Sequence, residues 1–148
     1  LGSLNPGMIV TLSDEARQYI ALFDDETDVP ALDCVVDDEY DRLAFVVPAG
    51  TMGQAIGPGG KHVRTVESAL GRTVIVVENA DRAADFVANA LAPAAVYNVT
   101  ISENDTTIAY AEVDHDDRGV AIGKDGRRID LARRLAKRHF DIDGIELT

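Results

Sequence analysis

One nine-residue pattern occurs twice in this 148-residue chain, and it constrains the fold more than any other feature. Gly53-Gln54-Ala55-Ile56-Gly57-Pro58-Gly59-Gly60-Lys61 returns 66 residues later as Gly119-Val120-Ala121-Ile122-Gly123-Lys124-Asp125-Gly126-Arg127. Five positions are identical, and the last keeps its positive charge. Self-similarity at one spacing marks two copies of a single supersecondary unit. A chain of this length suits either one medium domain or two small ones. The repeat decides for two, with expected boundaries at 8–79 and 80–148. Residues 1–7 have the small, polar look of an appended linker, with Met8 as the expected native start.

The periodicity around each copy predicts the same elements in the same order. In the first unit Ser13 can cap a helix whose apolar positions Ala16, Tyr19, Ile20 and Phe23 recur at i, i+3, i+4 and i+7. Leu32–Val36 and Leu43–Val47 read as strands joined by the polar turn Asp37–Asp41. A short helix near Thr51–Ile56 leads into the glycine loop. The following helix aligns Val63, Val66 and Leu70, Gly71 closes it, and Val74–Val77 forms a third strand. In the second unit a helix from about Asp81 places Ala83, Phe86, Val87, Ala90 and Leu91 inward and stops at Pro93. Strands are predicted at Tyr97–Ile101 and Ile108–Val113, then a short helix near Arg118–Ile122 and the second loop. A helix with Ile129, Ala132, Leu135 and Ala136 inward and a strand Ile145–Leu147 complete the unit. Both units read α-β-β-α-loop-α-β, so the expected class is α+β, with helices on one face of a three-stranded sheet.

At this point the residues resemble a known family. Ile-Gly-x-x-Gly between two helices, present as Ile56-Gly57-Pro58-Gly59-Gly60 and Ile122-Gly123-Lys124-Asp125-Gly126, is similar to the KH signature. The element order resembles the type II, prokaryotic KH topology. Two such units in tandem resemble the archaeal NusA-like transcription termination and antitermination proteins. The resemblance implies a non-enzymatic factor that binds single-stranded RNA during transcription elongation or termination, with RNA polymerase as a further partner.

It also implies where the RNA would lie. Glycines in the loop let a sugar–phosphate backbone approach closely, and the next helix turns its N-terminal N–H groups toward phosphate. The contact groups carried over are Ile56, Gly57, Pro58, Gly59, Gly60, Lys61 and Arg64 in the first unit. In the second they are Ile122, Gly123, Lys124, Asp125, Gly126, Arg127 and Arg128. Ile56 and Ile122 would floor a groove for about four nucleotides. Pro58 supplies no N–H, whereas Lys124, Arg127 and Arg128 cluster at the second loop, so the second domain is expected to attract phosphate more strongly. The plain reading of one such loop alone is a turn between helices.

Charge bears on this reading in two ways. The net charge is −12, an awkward value for a phosphate binder, but three Lys against eleven Arg and abundant Asp and Glu resemble proteins adapted to high internal salt. The charge is also segregated: residues 1–56 carry a net −9 and residues 118–139 a net +6. A basic island points to a local anionic partner, although most such runs are simply solvated helix faces.

Other chemistries fit poorly. Gly60-Lys61 lacks the Ser or Thr of a P-loop, since His62 follows, and Ala55 stands where its first Gly belongs. His62, His115 and His139 are scattered and show no metal spacing. His62 follows the first loop but reads as an exposed bystander. Asp114, Asp116 and Asp117 lack the glycine and distal Glu of a calcium loop and read as solvated turn residues. Cys34, the one cysteine, sits among apolar neighbours and is expected to be buried; no disulfide can form, which suits a reducing cytoplasm. No cofactor, metal or membrane partner is expected, and the chain should be a monomer. The competing reading is a KH-like protein-interaction module that does not bind RNA.

Overall fold

A computed structural model describes residues 10–148; the expected linker 1–7 and the start at Met8 lie outside the described residues. Two compact units run Thr11–Asn79 and Ala80–Thr148. The first is built from α1 (Asp14–Thr27), β1 (Asp33–Asp37), β2 (Arg42–Val47), α2 (Met52–Ile56), α3 (Lys61–Leu70) and β3 (Thr73–Glu78). The second repeats the order with α4 (Ala83–Ala90), β4 (Val96–Glu103), β5 (Thr107–Val113), α5 (Arg118–Ile122), α6 (Arg127–Phe140) and β6 (Gly144–Leu147). Each sheet has three strands, with the hairpin antiparallel and the third strand parallel to the second. The parallel step requires a crossover, and the two helices around each glycine loop supply it.

Local chemistry sets the ends of these elements. Ser13 Oγ accepts the Ala16 N–H at 3.1 Å and starts α1. Gly71 ends α3 at φ 67°, its N–H donating to the Glu67 carbonyl at 2.7 Å. Strand limits exceed the expected ones most clearly in β4, which runs on to Glu103 and shortens the turn to 104–106. There the pairing of Ser102 with Ile108 and Glu103 with Thr107 overrides the turn propensity of the polar residues. Conversely α4 begins at Ala83, with no side-chain cap from Arg82.

Each unit buries the apolar face that the periodicity predicted. In the first, Phe23 of α1 stacks on Phe45 of β2 with ring centroids 4.3 Å apart, and Val29, Cys34, Leu43, Val47, Ala55 and Val66 close around them. Thr27, also buried, donates to the Phe23 carbonyl at 2.7 Å and accepts the Val29 N–H at 3.1 Å. In the second, Phe86 of α4 lies against His139 and Phe140 of α6, and Ile129, Ala132, Leu135 and Ala136 are buried as expected.

One polar contact stands out at the first hairpin. Asp37 and Arg42 pair at 2.7 Å with side chains only 12% and 8% exposed, and the guanidinium lies over the Tyr40 ring. Burial pushes the Asp37 carboxyl up, but the bonds from Arg42 and from the Tyr40 and Glu39 N–H groups outweigh it and hold the carboxyl below its usual range. A carboxyl lowered on folding stabilises the fold above its unfolded pKa and ceases to as pH falls through the depressed value. Asp37→Asn should therefore cost about 3 kcal/mol at neutral pH, because it leaves Arg42 buried without its counter-charge. The cost should shrink on acidification; denaturant melts of both proteins at pH 7 and pH 3, in concentrated KCl, would measure it.

Candidate nucleic-acid interface

The two glycine loops have almost the same backbone. Gly57 and Gly123 sit at φ 78°, ψ 170° and φ 78°, ψ 171°, a region essentially restricted to glycine. Gly59 (59°, 23°) matches Asp125 (55°, 28°), and Gly60 (80°, 15°) matches Gly126 (76°, 12°). Pro58–Gly60 and Lys124–Gly126 each form a 3-10 turn between the short helix and the long one. The N–H groups of Gly60 and Gly126 donate to the carbonyls of Gly57 and Gly123 at 3.0 and 3.1 Å. The repeat in sequence is thus a repeat in dihedral angles, even where Pro58 faces Lys124 and Gly59 faces Asp125.

The other repeated positions have separate reasons. Ala55 and Ala121 are fully buried, so a larger side chain would lift the short helix from its unit. A Cβ on Gly53 or Gly119, by contrast, would meet nothing within 4 Å. Glycine inside a helix costs about 1 kcal/mol relative to alanine, and nothing inside the protein requires it at these two positions.

Each expected contact residue can now be placed. Pro58, Gly59, Lys61 and Arg64 are exposed around the first loop, with Ile56 half-buried beside it. Lys124 and Asp125 are exposed on the second, and Ile122 is 38% exposed. Lys61 and Lys124 have no ion-pair partner among the described residues. Arg64 turns back onto its own loop and donates to the Gly59 carbonyl at 2.5 Å. Arg127 lies 3.8 Å from Asp125. Asp130, which occupies the position matched to Arg64, pairs with Arg133 at 3.7 Å. Asp125 and Asp130 therefore set negative charge beside the second loop, and its expected electrostatic lead narrows. The basic island is also partly engaged within the fold. Arg133 donates to the Ile145 carbonyl at 3.0 Å, and Lys137 bridges Asp141 and Asp143 at 2.7 and 2.9 Å, contacts that push its ammonium up to about 12.

Two features were not legible from residue spacing. His62, which reads as a bystander in the sequence, lies with its ring against Gly57, where a Cβ would sit 2.5 Å from the ring. Its Nδ1 is 2.7 Å from the Gln54 carbonyl, and the Gln54 amide donates to the Asp28 carbonyl at the end of α1. Asp114 and Asp117 of the acidic triplet before the second loop also act as a brace, while Asp116 is exposed in the turn. Tyr97 donates its hydroxyl proton to Asp114, Asp114 accepts the Asp116 N–H, and Asp117 accepts the Ala95 N–H at 2.8 Å. These bonds tie the start of β4 to the start of α5. Among the described residues no group of His, Cys, Asp and Glu could hold a metal ion, and no helix is long and apolar enough to cross a membrane.

The two loops differ in what the glycine packs on, and this yields a test. At Gly57 a new Cβ meets only a side-chain ring, 2.5 Å from the His62 Cγ; at Gly123 it meets the Arg128 backbone nitrogen at 2.8 Å. Both alanine variants carry the dihedral strain, about 1–3 kcal/mol. Gly123→Ala should be the more destabilising. Removing the ring with His62→Ala should recover part of the loss in Gly57→Ala, whereas Arg128→Ala should recover little in Gly123→Ala. Thermal melts of the singles and doubles measure the difference.

Comparison with known proteins finds relatives over most of the chain. A KH domain family model matches residues 15–103, and a model described as the NusA-like second KH domain matches residues 83–148. A protein of Halobacterium salinarum named probable transcription termination protein NusA is 63% identical over 141 residues, covering 95% of this chain and all of the relative. Its namesake in Methanocaldococcus jannaschii is 33% identical, covering 93% of this chain and 75% of its own length. The crystal structure of APE1850 superposes with a TM-score of 0.83 at 31% identity, covering 93% of this chain and 100% of that one.

Proposed function

The chain belongs to the archaeal NusA-like family of KH-domain proteins, and from that we propose that it binds single-stranded RNA through its two glycine loops as a transcription elongation or termination factor. Members of this family are binding proteins, and the chain is not an enzyme. The observation that carries the RNA reading is the duplicated loop: two segments of different side chains share one glycine-dependent backbone. Exposed Lys61 and Lys124 stand at these loops to meet phosphate. Gly53 and Gly119 support the same reading, since their missing side chains leave space outside the fold where an RNA backbone would pass. Ile56 and Ile122 supply apolar surface for a base, and Gly57, Pro58, Gly59, Gly60, Lys61 and Arg64 with Gly123–Arg128 supply the phosphate-side contacts.

An acidic chain in a salty cytoplasm limits what phosphate attraction can do. Each contact on a single strand contributes a slope of about −0.7 in log K against log salt, so packing and base hydrogen bonds must carry more of the affinity. The relatives' names place them in transcription termination, and RNA polymerase is the partner that role implies for this chain.

The test is fluorescence anisotropy with unstructured RNA oligomers across a range of KCl. The variants are Pro58→Asp/Gly59→Asp and Lys124→Asp. Asp at position 59 is compatible with the backbone, because Asp125 holds the same dihedrals in the second loop. Saturable binding by the wild type, weakened roughly tenfold or more by each variant, is expected. No saturable binding by the wild type at any salt would instead favour a protein-interaction module.

A further inference from the structure

The matched positions 62 and 128, two residues beyond the last loop glycine, hold side chains of opposite hydrogen-bonding character. A carbonyl oxygen can only accept, so the 2.7 Å contact between His62 Nδ1 and the Gln54 carbonyl places a proton on Nδ1. In the neutral imidazole that leaves Nε2 as an acceptor. The ring cannot turn freely to exchange the two nitrogens, because its face is held against Gly57 and its Nδ1 against Gln54, itself bonded to the end of α1. Nε2 has no partner among the described residues, and the side chain is half-buried at the foot of the loop. Arg128, by contrast, offers donors only. Its Cβ and backbone occupy the space against Gly123 that the His62 ring fills at Gly57.

We propose that His62 is a specificity-determining residue of the first loop, its Nε2 accepting a hydrogen bond from a donor on the bound nucleotide, either the ribose 2′-hydroxyl or an exocyclic base amino group. This rests on the RNA reading above and adds to it that the two loops are not interchangeable. The first selects a nucleotide group that donates; at the matched position of the second, Arg128 has no acceptor for such a group. A hydrogen bond between neutral groups also persists in concentrated salt, where phosphate attraction is weakest.

Asn and Gln separate the two ring nitrogens. The Asn amide reaches the place of Nδ1 and keeps the Gln54 bond while offering no acceptor at Nε2. The Gln amide reaches the place of Nε2. In the full chain at high KCl, His62→Asn should weaken RNA binding roughly three- to tenfold with an unchanged melting temperature, and His62→Gln should retain most of the affinity. The source of the donor is read from ligands, with the wild type as the reference. If it is the ribose, the 2′-deoxy oligomer should bind the wild type more weakly by the same factor and bind His62→Asn no differently from the wild type. If it is a base amino group, the His62→Asn loss should occur with oligoadenylate or oligocytidylate and be absent with oligouridylate. Equal binding by wild type and His62→Asn to every RNA, with the loop variants still defective, would overturn the assignment and leave the RNA reading standing. If His62→Asn unfolds, His62→Gln and the ligand comparison on the wild type decide: indifference of the wild type to the 2′-hydroxyl and to the amino group overturns it equally. A wild type that binds no RNA removes both.

Discussion

In both units a short helix must hand over to a long one within four residues, and the glycine that opens the loop makes that reversal possible. At φ 78° and ψ near 170°, Gly57 and Gly123 adopt a backbone that a Cβ would forbid, and each packs on the first turn of the helix that follows. The rest of each unit follows from this reversal. It sets α3 and α6 over their sheets so that Val66, and Leu135 with Ala136, reach the cores. It also turns the long helix back so that the third strand can run parallel to the second. Buried Ala55 and Ala121 hold the short helices down, and the loop residues are left outermost.

The frame of the fold was legible because it depends on period and punctuation. Ser13, Gly71 and the i, i+3, i+4 spacing of Phe86, Ala90 and Ile129, Ala132 act within one element, and the elements follow them. The loops were legible because the sequence states them twice. What escaped the reading acts across elements. His62 meets a carbonyl eight residues earlier, Tyr97 meets an aspartate seventeen residues later, and Arg133 meets a strand carbonyl twelve residues on. No spacing rule pairs such residues before the fold does. The basic island is partly engaged within the fold, through pairs at i, i+3 and i, i+4 as well as one further along the chain. Its charge count was correct, but part of that charge is bound to Asp130, Asp141 and Asp143, two of which lie beyond the run that was counted.

Charge in this protein therefore serves two ends. Across the surface an excess of acid, net −12, keeps the chain hydrated in concentrated salt. At chosen points a cation is matched closely, as at Asp37–Arg42, where both groups leave water, or at Lys137, which closes the turn into β6. Lys61 and Lys124 at the loops fit neither pattern, nor do exposed Arg82 and Arg118 elsewhere. The two lysines carry positive charge outward with no ion-pair partner among the described residues, although Asp125 and Asp130 lie beside the second loop.

The central claim, that both loops meet RNA, is tested most directly by recording backbone amide resonances of the ¹⁵N-labelled chain during titration with an unstructured RNA oligomer in concentrated KCl. The account expects saturable shifts, the largest in the chain, at Gly57, Gly59, Gly60 and Lys61 and again at Gly123, Lys124, Asp125 and Gly126. Silent loops, with shifts confined to other surfaces such as the open face of the second sheet around Tyr110, would contradict it.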